Sequence, residues 1–83
     1  MLQPLLSADE KKRIKGEIDT RQKLVNELRI RAKGHQTTEN QGLLEKIESF
    51  LKQSNAAEEH GDYTQADALS VRALILAKEL QVE

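Results

Sequence analysis

Apolar residues recur along this chain three, four and seven positions apart, in three blocks separated by glycine. The first block carries Ile14, Ile18, Leu24, Val25, Leu28 and Ala32. The second carries Leu43, Leu44, Ile47, Phe50, Leu51, Ser54 and Ala57 against a polar side of Glu45, Glu48, Ser49, Lys52, Gln53 and Asn55. The third carries Ala66, Leu69, Ala73, Leu76, Ala77 and Leu80. This is the period of half-buried helices, and no alternating strand pattern competes with it.

Each block has its own punctuation. Ser7-Ala-Asp-Glu10 reads as a capping box that opens a helix over residues 8–33. Gly34 stands where a left-handed residue would close that helix, and Arg29, Arg31 and Lys33 put positive charge in its last turns. Thr38-Glu-Asn-Gln41 reads as a second capping box, opening a helix over 38–60 that Gly61 ends. Asp62, with Gln65 three residues on, caps a third helix over 62–82, which shows no stop signal of its own. Short turns make sequence neighbours antiparallel. The expected fold is therefore all-α, an antiparallel up-down-up three-helix bundle. It forms one domain over residues 1–83, with 1–6 as an N-terminal extension.

Alanines at 66, 73 and 77 allow a close seam between the second and third helices. At Gly61-Asp-Tyr-Thr-Gln-Ala66 and Ala73, the chain resembles the second half of a tetratricopeptide repeat. That family has a Gly-Asp-Tyr-like turn followed by alanines seven residues apart, and Ser54 stands where it prefers a small residue. The resemblance covers roughly residues 44–80. It lacks the Trp-Leu-Gly signature and a closing proline, and a single repeat does not build the concave peptide groove of an array. It implies a repeat-type helix pair covered by an extra helix. As a whole, the chain also looks like small alanine-rich helical domains of bacterial proteins, which adds no mechanism.

Composition narrows the function. The 83 residues include 13 basic and 14 acidic side chains, a formal net charge of −1, whereas nucleic-acid binders usually show a basic excess. Phe50 and Tyr63 are the aromatic residues and there is no Trp, so base stacking is poorly served. Without cysteine there is neither a disulfide framework nor a thiolate metal site. No apolar run is long enough to cross a membrane, and MLQPLL is too short and lacks the basic start of a signal peptide. The compartment is left open: a full-length chain would be cytoplasmic, an excised piece could be exported.

Candidate chemistry is sparse. Lys11, Lys12, Arg13 and Lys15 could contact phosphates or an anionic membrane, although Glu10, Glu17 and Asp19 cancel much of their field. His35 and His60 lie at opposite ends of the second helix, roughly 35 Å apart at 1.5 Å per residue, too far to share an ion. Glu58, His60 and Asp62 lack the spacing of a metal site. Ser7, Ser49, Ser54 and Ser70 have no histidine at a matched level. No catalytic group, metal or cofactor is expected, and no small-molecule substrate.

Two features remain. Arg21 falls inside the apolar stripe of the first helix. Either its stem packs while its head reaches the edge beside Glu17, or it is a polar group that fixes helix register or contacts a partner. The third helix also has a second apolar stripe, Ala68, Val71, Ile75 and Val82, nearly opposite the first, with Leu74 between them; Ile30 is likewise off its helix's main stripe. Either the third helix is sandwiched between the other two, or the second stripe is exposed and receives a partner, another copy, or a further part of the same protein. The expectation is a non-catalytic protein–protein interaction or structural module. Its contact surface would be Val71, Ile75 and Val82, for another protein or for self-association. The alternative is a nucleic-acid or anionic-membrane adaptor using Lys11, Lys12, Arg13 and Lys15.

Overall fold

The computed structural model describes residues 7–82; the expected N-terminal extension over 1–6 lies outside the described residues. Three helices follow one another: α1 (Ala8–Ala32), α2 (Thr38–Glu59) and α3 (Tyr63–Ala77). The fold is the expected all-α three-helix bundle. Its helices are not equivalent, however. α3 packs closely against both α1 and α2, whereas α1 and α2 barely touch. The last helix in sequence is thus the central one in space.

Side-chain size explains this arrangement. α3 offers Ala66, Leu69, Ser70, Ala73 and Ala77 as its buried residues, so its backbone can approach both neighbours. Val25, Ala32, Ile47, Leu51, Ala73, Ala77 and Leu80 form one core cluster drawn from all three segments. Ser54 lies fully buried in the α2–α3 seam, where its hydroxyl donates to the Ala66 carbonyl at 2.8 Å. That bond satisfies a hydroxyl which would otherwise cost about 1–3 kcal/mol to bury.

Arg21 sets the register between α1 and α3. Its Nη1 donates to Asp67 Oδ1 at 2.7 Å and to Ser70 Oγ at 2.8 Å. Ser70 Oγ in turn donates to the Asp67 carbonyl at 2.7 Å. The head group therefore engages α3 rather than Glu17, which pairs instead with Arg13 at 3.1 Å. Thirteen residues of α1 precede Arg21, but only four residues of α3 precede Asp67. The first turns of α1 consequently outrun the bundle, and Ser7–Arg13 are all exposed.

Two of the three expected caps are in place. Ser7 accepts from the Glu10 amide at 3.1 Å and Asp62 from the Gln65 amide at 3.1 Å. The cap of α2 is Thr37, not Thr38: its hydroxyl accepts from the Asn40 amide at 3.0 Å. The two threonines are chemically equal as caps, and the amide that Thr37 caps belongs to Asn40. This side chain is fully buried. Its Nδ2 donates to the His35 carbonyl at 2.8 Å and the Gln81 carbonyl at 3.1 Å, and its Oδ1 accepts from the Gln81 amide at 2.9 Å. One amide thus grips the chain before α2 and the chain after α3.

The same clasp overturns the expectation that the third helix runs to residue 82. α3 stops at Ala77. The amides of Lys78, Glu79 and Leu80 then bond back to Leu74, Leu76 and Ala77, tightening the chain until Gln81 meets Asn40. Leaving the helix costs α3 part of a turn, but it buries Leu80 and joins three otherwise unpaired polar groups. Gly34 departs from expectation too, since among the described residues only Gly61 has positive φ, at 78°. Residues after α1 instead close with the Lys33 amide on Ile30 and the His35 amide on Ala32, a tightened last turn that needs no left-handed residue.

Candidate interaction surface

α1 covers one flank of α3 and α2 the other, which leaves α3 a third face turned outward. Val71 and Ile75 lie on it, one helical turn apart, 37% and 57% exposed. Ala68 is exposed one turn earlier. α3 is thus sandwiched between its neighbours and still presents apolar side chains to solvent. Val82 behaves differently. It lies beyond the end of α3, half-buried and packed against the core cluster. It cannot extend the stripe, because the helix that would carry it ends five residues earlier.

Apolar surface continues from this face onto both neighbours. On the α1 side an open groove runs between Leu24, itself 40% exposed, and Leu74, with Gly16, Thr20 and the Arg13–Glu17 pair along it. On the α2 side, Phe50, Ile75 and Leu76 line a wholly apolar depression with Arg72 at its rim. The opposite side of the bundle is polar. There Gln22 donates to Asn55 at 3.0 Å across a shallow cleft that Asn26, Arg29, Glu48 and Lys52 also line. Ile30, 62% exposed, sits apart from the outward face of α3.

Lys11, Lys12 and Lys15 share a face of the projecting start of α1, and Arg13 turns away from them to Glu17. Asp19 lies one turn beyond Lys15 on that face. His35, His60, Glu58 and Asp62 do not converge: among the described residues no three His, Asp or Glu side chains gather as metal ligands. Glu58 Oε1 is buried without a hydrogen-bond partner among the described residues. Among those residues, no helix is long and apolar enough to cross a membrane.

Asn40 is the structural residue that the hydrophobic pattern conceals. As part of an apparent capping box it reads as a helix-start residue. The signal that finds it is its position seven residues before Ile47 and fourteen before Ser54, which places it on the buried face of α2. Comparison of the chain with models of known protein families, with curated proteins and with solved structures returns no match.

Proposed function

We propose that this protein is a non-catalytic protein–protein interaction module whose contact surface is the outward face of α3, centred on Val71 and Ile75. One observation carries this reading. The core of α3 is complete without these residues, yet the face they occupy is apolar and joins apolar surface on both neighbouring helices. Isolated exposed hydrophobes are ordinary, but a contiguous patch across three elements is the usual mark of a docking surface. The tetratricopeptide-like character of residues 44–80 is in keeping with such a role. Val82 contributes by holding the end of the chain against the core rather than by contact.

The test is the double substitution Val71→Glu with Ile75→Glu, assayed for helicity and for partner capture. Retained helicity with lost association supports the reading. Unfolding of the bundle overturns it, because the stripe would then be core.

A second reading, an adaptor for anionic polymers or membranes, rests on the projecting first turns of α1 with Lys11, Lys12 and Lys15 exposed. It requires binding to duplex DNA or anionic vesicles at low salt that falls steeply as salt rises. Absence of binding at low salt removes it.

A further inference from the structure

We infer that the occupant of this surface is an amphipathic helix from another protein, its apolar stripe flanked by Asp or Glu, seated along the α2–α3 depression. The inference rests on the reading of α3's outward face as a docking surface. Its first support is charge. Arg72 and Lys78 stand three residues either side of Ile75, exposed, and neither side chain makes an ion pair or hydrogen bond among the described residues. Lys46, also exposed, lies one turn before Phe50 on α2. The carboxylates at the margins of the face are already engaged, Asp67 by Arg21 and Glu17 by Arg13. Glu79, in the turn after α3, has no ion-pair partner among the described residues. Arg72 lines the depression on one side of Ile75 and Lys78 flanks the stripe on its other side, and such a pair complements a ligand with acidic flanks.

The same charges speak against a second copy as the occupant. An antiparallel pairing of two α3 helices centred on Ile75 sets Arg72 of each copy opposite Lys78 of the other. A parallel pairing sets each cation against its own counterpart. Like charges directly opposed disfavour association. The patch is also small. α3 has 15 residues, about 22 Å of helix, and its exposed apolar residues fall well short of the roughly 800 Å² per partner of a stable dimer. A strip of that length suits about three to four turns of a partner helix, anchored by residues three, four and seven apart. The α2–α3 depression is preferred to the α1–α3 groove because Arg13 in the latter is already neutralised by Glu17.

The test uses two synthetic helical peptides of about 20 residues, long enough to hold some helix in water. They share one leucine stripe and differ only in having Glu or Lys beside it. Each is titrated into isotopically labelled protein up to about 1 mM while amide resonances are followed. The Glu peptide is expected to shift Phe50, Arg72, Ile75 and Leu76, and to bind about tenfold or more tightly than the Lys peptide. The variant R72E with K78E should reverse that order. Equal binding of both peptides that is lost in V71E with I75E overturns the acidic-partner inference and leaves the docking face standing. Peptide binding that survives V71E with I75E overturns the docking face itself. No shift with either peptide, or a concentration-dependent dimer abolished by I75E, overturns the inference.

Discussion

Replacing Asn40 by alanine tests how the bundle is closed. Three hydrogen bonds disappear, to the His35 carbonyl and to both backbone groups of Gln81. At about 0.5–1.5 kcal/mol net for each bond, the upper bound is near 4.5 kcal/mol. Gln81 is exposed and His35 only half-buried, so water can recover part of the loss, and about 2–3 kcal/mol is the expected cost. A chain of 83 residues has about 4–12 kcal/mol in total, so the substitution removes a large share of it. The unfolding midpoint should fall by about 10–20 °C. The assay is urea and thermal unfolding followed by circular dichroism, with hydrogen exchange at the Gln81 amide. That amide should lose protection even where the protein remains folded, because its acceptor is gone. Thr37→Ala separates the clasp from the cap, costing about 1 kcal/mol, while Thr38→Ala should be nearly neutral. A loss below about 0.5 kcal/mol for Asn40→Ala, with Gln81 exchange unchanged, would refute the clasp.

Other substitutions probe the remaining contacts. In a double-mutant cycle, Arg21→Met with Asp67→Ala should show coupling of about 0.5–3 kcal/mol that weakens as salt rises, since the Arg21 and Asp67 side chains are 19% and 35% exposed; zero coupling would remove Arg21 from the register between α1 and α3. Ala73→Leu should cost about 1–3 kcal/mol or more by forcing the α2–α3 seam apart, and unchanged denaturant stability would show that the seam is loose. Glycines should divide by conformation: Gly61→Ala destabilises because φ is +78°. Gly16→Ala, in open space within α1, should stabilise by about 0.5–1 kcal/mol. Unfolding curves that do not separate these two changes would contradict the backbone assignment.

Most of the fold was legible in the sequence because periodicity and caps point the same way. Ser7 and Asp62 behave as caps, Gly61 takes the left-handed turn, and Ala66, Ala73 and Ala77 mark a close seam. What could not be read was non-local. The sequence shows Arg21 on an apolar stripe, but not that Asp67 and Ser70 arrive beside it 46 and 49 residues later. Nor does any local signal end α3 at Ala77, since the cause is Asn40, on another helix, bonding Gln81. The end of α3 at Ala77 also withdraws Val82 from the exposed stripe. Of the candidate surface, Val71 and Ile75 needed only helical geometry to be placed opposite the core. Their continuity with Leu24 and Phe50 needed the unexpected packing order, with α3 in the middle.

The central claim is that α3 has a face the fold does not use. Its most direct test is the unfolding free energy of V71E with I75E beside binding of the Glu-flanked peptide. Stability is expected within about 1 kcal/mol of the parent, as for changes at exposed positions, together with loss of peptide binding. A destabilisation of about 3 kcal/mol or more, the scale of charges forced into a core, would contradict it.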